Sequence, residues 1–173
     1  MSQQVNETKQ IAAFLLKEID RLIDRPVRIM EVCGTHTVSI FRAGIRQLLP
    51  EKVELVSGPG CPVCVTPNDY LDTAIAYARQ EDVIITTFGD MLKVPGTSSS
   101  LNQVKAEGRD IRIIYSPMDS LQIAKDNSDK KVIFLAVGFE TTSPTVAATI
   151  LAAKQQNIKN FFVKNETKIY ILL

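Results

Sequence analysis

The sequence has no tryptophan, a single histidine and only three cysteines among its 173 residues. With one histidine, lying beside a cysteine, a Ser/His/Asp hydrolase is not expected, and no G-x-S-x-G nucleophile elbow is present. A Walker-type phosphate loop is also missing. Gly58-Pro59-Gly60 begins like a dinucleotide fingerprint, but Val63 stands where its last glycine would fall. Charge of one sign is lacking too: 20 Lys plus Arg against 19 Asp plus Glu leave a net charge of +1. That balance excludes a nucleic-acid binder driven by a strong basic field, and an acidic solvating tail. No apolar run approaches the roughly 18 residues of a membrane helix. The opening MSQQVNETKQ lacks the basic-then-apolar pattern of a secretion signal. These absences predict a soluble, cytoplasmic protein with no nucleic-acid or membrane partner.

What is present is an ordinary globular composition, 45% hydrophobic and 23% charged, enough for a real core. The odd cysteine count, without an export signal, argues for metal or redox chemistry over a disulfide framework. All three cysteines and the histidine fall in two short glycine-containing segments. Cys33 and His36 lie in CGTHT, and Cys61 and Cys64 form a C-x-x-C in GPGCPVC.

Hydrophobic periodicity places these segments. A helical stripe runs from Asn6 to Asp24, and branched, apolar runs predict strands at Val27–Val32, Val53–Val56, Asp82–Thr87, Ile111–Tyr115, Lys131–Val137 and Asn160–Val163. Helices are expected at about 37–49, from Thr66-Pro67 to Gln80, at 100–107, from Ser116-Pro117, and from Ser143-Pro144 to Gln156. Strands alternating with helices mean βαβ units and parallel strands. The expected fold is therefore α/β, with doubly wound parallel sheets, and PGTSSS at 95–100 is the one plausible hinge. It sets an expected first domain at 1–97 and a second at 98–173.

CGTHT, GPGCPVC, FGDM (88–91) and GFETT (138–142) each follow a predicted strand, at the edge of an open α/β sheet where ligands bind. Cys33 could be a small buried hydrophobe, or a thiolate favoured by the helix that follows it. Cys61 and Cys64 have the spacing of a reversible disulfide or of two ligands on one metal. Together with Cys33 and His36 they could form a Cys3His zinc site. His36 could ligate metal, move a proton at Cys33, or cap its helix. Asp90 and Glu140 could do acid–base work or serve as caps and loop anchors.

EVCGTHT (31–37), GPGCPVC (58–64), FGDMLKVPG (88–96), YSPMD (115–119) and GFETT together resemble the hydrogenase maturation family HypD, over roughly residues 28–163. The resemblance implies a scaffold for the iron centre of [NiFe] hydrogenases more than a turnover enzyme. It implies that Cys33 helps hold an iron carrying cyanide and carbon monoxide, the Fe(CN)2CO unit, with a cysteine from a HypC-type chaperone. Cyanide would come from a HypE–HypF pair. Cys61 and Cys64 would be a redox dithiol fed by a [4Fe-4S] cluster, and His36 and Glu140 would lie near the cleft. A soft thiolate suits low-valent iron. The alternatives are a zinc-binding Cys3His module and a free thiol–disulfide oxidoreductase. The family chain normally continues to a cysteine-rich segment that binds the cluster, whereas Val163 is followed by KNETKIYILL. A truncated member with an incomplete second α/β domain, no cluster ligands and an unpaired sheet edge is expected.

Overall fold

The computed structural model describes residues 2–168. Thirteen helices and strands alternate in the order α1 (Ser2–Leu22), β1 (Val27–Glu31), α2 (Gly34–Arg42), α3 (Ile45–Leu48), β2 (Val53–Ser57), α4 (Asn68–Ala78), β3 (Val83–Thr87), α5 (Leu101–Ala106), β4 (Ile111–Ile113), α6 (Asp119–Asp126), β5 (Lys131–Phe139), α7 (Ser143–Gln155) and β6 (Phe161–Lys168). Every strand pair is parallel, as expected for α/β, but the strands form two sheets: β1-β2, and β4-β3-β5-β6. The chain divides into two compact units between Cys61 and Pro62. The segment expected to be the domain boundary lies inside the second unit, closed by an antiparallel bridge from Pro95 to Ser100. Asp72 holds it, accepting from Thr97 N at 2.8 Å and Thr97 Oγ1 at 2.6 Å.

The second unit carries the core. All five residues of β3 and Val132–Val137 of β5 are buried, which is how continuous apolar strands behave when helices cover both faces. Alternation divides them. Val83, Ile85, Ile133 and Leu135 pack with Leu71 and Ile75 of α4 and Leu101 and Val104 of α5. Phe134 and Ala136 face the other way, toward Val146 of α7, while Ile84 and Val132 meet Ala124 of α6. Because β4 and β5 lie on opposite sides of β3, successive connections diverge at the β3–β5 junction. That makes the junction the switch point of a doubly wound sheet.

The first unit is built differently. Among its described side chains, residues 7–61, none is buried. Two strands cannot bury both faces of a parallel sheet, and Ile29 and Met30 of β1 remain 49% and 40% exposed. The single helix expected over 37–49 is broken. Gly44 adopts a left-handed φ of +64° and ends α2 before α3 begins, a conformation that favours glycine.

Helix starts also differ from the capping pattern read in the sequence. Thr66 does not cap α4; its hydroxyl donates to Pro62 O at 2.6 Å. The helix after Ser116-Pro117 begins only at Asp119, whose Oδ2 accepts from Ser116 N at 2.9 Å and Tyr115 N at 3.2 Å. Ser100 does cap α5, in a reciprocal box with Gln103. β6 runs past Val163 to Lys168 and pairs with β5 over its whole length. The last five residues of the expected tail lie outside the described residues.

Candidate functional site

The parallel register that sets Glu31 opposite Ser57 brings the carboxyl ends of β1 and β2 together. Gly58 leaves β2 so close to β1 that its N–H donates to Glu31 O at 2.8 Å. A Cβ there would sit 2.5 Å from that oxygen and 3.0 Å from Met30 Cγ, so only glycine fits.

On the β1 side, Cys33 is the residue from which α2 springs, in extended backbone with no aligned capping bond from its side chain. The N–H dipoles of His36 and then Thr35, at the open end of the helix, hold its thiol below the ordinary cysteine range. Partial burial opposes that shift, and the Thr35 hydroxyl and the Cys61 thiol add to it as hydrogen-bond donors. An amide-rich helix start stabilises a thiolate because its uncompensated N–H groups favour negative charge.

A carboxylate network fixes this turn. Thr37 Oγ1 donates to Glu31 Oε1 at 2.7 Å, and Thr37 N donates to Cys33 O at 3.1 Å. The Thr37 hydroxyl keeps Glu31 below the usual carboxylate range, helped by the Ser57 hydroxyl, the Cys33 N–H and the charge of Arg46, with partial burial acting against them. Arg46 Nη2 in turn donates to Ser57 Oγ at 2.8 Å. Glu31 thus ties together β1, α2, the end of β2 and the Cys33 backbone. Sequence reasoning passed over it as a site residue, although a carboxylate closing a strand two residues before a thiol was a readable signal.

Cys33 and Cys61 are both half-buried, and the Cys61 side chain is among the groups that lower the Cys33 thiol. None of the three cysteines is in a disulfide, and Cys64 is exposed. Cys64 belongs to the second unit, within the turn that the Thr66 hydroxyl closes onto Pro62 O. His36 is exposed, and its backbone amide is the group that faces the sulfur. Among the described residues no group of three or more His, Cys, Asp or Glu could hold a metal ion. Within the first unit, Cys33, His36 and Cys61 therefore do not make a three-ligand set of the kind a zinc module needs.

The remaining motifs line the second sheet. Asp90 and Glu140 sit exposed in short 3-10 turns, Gly89–Lys93 and Glu140–Thr142. Thr142 Oγ1 donates to Phe139 O at 2.7 Å, so it does not cap α7. At the β3–β5 switch point a cavity of about 240 Å³ is lined by Phe88, Tyr115, Pro117, Val137 and Thr142 among others. The four motifs thus divide between the edges of two sheets, not along a single one, because β1 and β2 pair only with each other.

A family model, HypD, described as the hydrogenase formation hypA family, matches residues 9–172. The chain belongs to the HypD family. It is 54% identical over 139 residues to the hydrogenase maturation factor HypD of Escherichia coli K12, covering 80% of this chain and 37% of that protein. It is 47% identical over 160 residues to the HypD of Rhodobacter capsulatus, covering 88% and 42%. With the HypD of Azotobacter vinelandii the identity is 49% over 156 residues, covering 90% and 41%. The chain thus spans about two-fifths of the length of these HypD relatives. No helix among the described residues is long and apolar enough to cross a membrane.

Proposed function

We propose that this chain serves as a hydrogenase maturation factor, contributing the thiolate that holds an Fe(CN)2CO unit while it is assembled and passed on. The observation that carries this reading is the Cys33 sulfur at the start of α2, facing the His36 and Thr35 amides in a turn anchored by Glu31. The donor set fits iron as cargo. Three diatomic ligands already fill part of its coordination sphere, so the protein need supply only one or two soft donors. A HypC-type chaperone would supply a second cysteine, and a HypE–HypF pair would deliver cyanide. Cys61 and Cys64 would act as the redox dithiol. Their electrons would come from a [4Fe-4S] cluster whose ligands are not among the three cysteines of this sequence, each of which already has a role. The work would be done in the cytoplasm.

The test is anaerobic co-expression with the HypC-type, HypE-type and HypF-type proteins, followed by infrared spectroscopy of the purified complex. Cyanide and carbonyl stretching bands with stoichiometric iron are expected for the wild type and for His36→Ala, and their loss for Cys33→Ala. Bands that persist in Cys33→Ala would overturn the assignment. So would one zinc per chain, released by Cys61→Ser. A simple thiol–disulfide oxidoreductase would keep full activity in Cys33→Ala and show no iron bands in any variant.

A further inference from the structure

We propose that β6 is a self-recognition edge. It pairs antiparallel with β6 of a second copy of this chain, about a two-fold axis at Asn165, and joins two four-stranded sheets into one continuous sheet. The proposal makes no use of the thiol site and stands or falls apart from the iron-holding role. β6 ends the order β4-β3-β5-β6, and among the described residues no strand lies beyond it. It is eight residues long, with neither proline nor glycine, whereas the opposite edge, β4, has three residues. Long uninterrupted edges are the ones that recruit another strand.

The backbone orientation follows from the ladder. Val132 N donates to Asn160 O at 2.8 Å, while Val132 is registered on Phe161. In a parallel ladder that arrangement turns Asn160 and Phe162 toward β5, and alternation does the same for Lys164, Glu166 and Lys168. The N–H and C=O groups of Phe161, Val163, Asn165 and Thr167 therefore point out of the sheet edge. The side chains divide as well. Phe161 and Val163 pack into the cluster of Phe134 and Val146, so Phe162, Lys164 and Glu166 lie on the other face. There Lys164 Nζ stands 4.5 Å from the centre of the Tyr70 ring. A cavity of about 440 Å³ runs beside β6, lined by Tyr77, Val83, Ile133, Phe162 and Lys164 among others.

Charge selects the occupant and its register. Two copies closing about a two-fold axis pair identical strands antiparallel, an arrangement complete with one partner. Outward backbone groups must meet outward groups, so the axis passes through a residue and not between two. At Asn165 it sets Lys164 of one copy opposite Glu166 of the other, and the symmetry repeats the match. Both fall at positions without direct hydrogen bonds, where side chains approach closest. Glu166 keeps the ion pair with Lys168 of its own strand. Phe162 then meets Lys168 of the other copy, whose aliphatic stem covers a ring that is otherwise 46% exposed. An axis at Lys164 or Glu166 would place like charges face to face, and one at Val163 would match no charges. An axis at Thr167 matches Glu166 with Lys168 but pairs only 166–168 of the described strand, against 162–168 for Asn165.

The test is sedimentation velocity of the chain in dithiothreitol over a concentration series, with amide hydrogen exchange read on β6. The wild type is expected as a monomer–dimer mixture, with exchange in β6 slowing as the dimer fills. Asn165→Pro removes an outward N–H and leaves the β5 ladder intact, so it should give a folded monomer with an unchanged far-UV spectrum. Lys164→Glu and Glu166→Lys should each weaken the dimer by about tenfold or more, since each turns two attractions into two repulsions. The double reversal Lys164→Glu/Glu166→Lys should restore it, which an axis at Thr167 would not allow. A wild type that stays monomeric at every concentration overturns the proposal. So does a dimer that survives Asn165→Pro, or one that the double reversal, folded as the wild type, fails to restore. Protection of β6 that appears only when the part of Escherichia coli HypD outside the matched region is added as a separate polypeptide also overturns it, because the edge then takes that segment and not a second copy.

Discussion

Replacing Gly58 with alanine tests how the thiol site is held. The new Cβ would lie 2.5 Å from Glu31 O, 3.0 Å from Met30 Cγ and 3.1 Å from Met30 Sδ. The first of these is a backbone atom of the paired strand and cannot swing aside. The exit of β2 must therefore move away from β1, weakening the 2.8 Å bond from Gly58 N to Glu31 O. The lost hydrogen bond costs about 0.5–1.5 kcal/mol, and overpacking about 1–3 kcal/mol. A combined penalty of about 2–4 kcal/mol would raise local opening by one to three powers of ten, at tenfold per roughly 1.4 kcal/mol. Amide hydrogen exchange is the assay. Val27–Glu31 and Val53–Ser57 should lose protection in Gly58→Ala, while β3 and β5, in the other unit, keep theirs. Gly34→Ala is the control, because a Cβ there meets nothing within 4 Å and alanine favours a helix start over glycine. Unchanged exchange in β1 and β2 of Gly58→Ala would refute the close-approach argument, and so would an equal loss in Gly34→Ala.

Two further outcomes follow from the same structure. Since the His36 and Thr35 amides hold the Cys33 thiol below its ordinary range, its thiolate persists to lower pH. The rate of its alkylation should therefore show an inflection below that of a cysteine peptide, and Thr35→Ala, which keeps the amide but removes the hydroxyl donor, should move it modestly upward. An inflection at or above the peptide's would sink the assignment. Phe134 is fully buried and meets Phe88 edge-to-face at 5.7 Å; Phe134→Ala should cost about 3–5 kcal/mol in urea unfolding of the second unit, and a loss under about 1 kcal/mol would contradict the packing described.

The alternation of elements was readable from local pattern, because β3 and β5 hold continuous apolar runs and helices such as α1 and α6 carry an apolar stripe. VIITT and VIFLAV announced strands covered on both faces, and both are buried as expected. The expected helix near 100–107 is present, and the structure shows its start capped by Ser100 and Gln103. Local signals misled where another partner won. The Thr66 hydroxyl satisfies Pro62 O instead of the start of α4, and although Ser116 Oγ accepts from Met118 N, the carboxylate of Asp119 folds back onto the amides of Tyr115 and Ser116 and the helix begins only there. Gly44 broke a helix whose apolar residues continue across it, since its left-handed backbone ends the hydrogen-bond ladder.

By itself, then, the sequence determined the family, the α/β alternation and the identity of the chemically distinctive residues, all of which are local properties of composition and spacing. Strand pairing is not local. The tertiary structure alone decided that β1 and β2 form a sheet of their own, that residues 7–61 bury none of their side chains, and that Glu31 organises the turn around Cys33. C-x-x-C spacing makes Cys64 the neighbour of Cys61 along the chain, but parallel pairing sets the exits of β1 and β2, which lead to Cys33 and to Cys61, side by side. That juxtaposition comes from the register between two strands, which no window of the sequence contains.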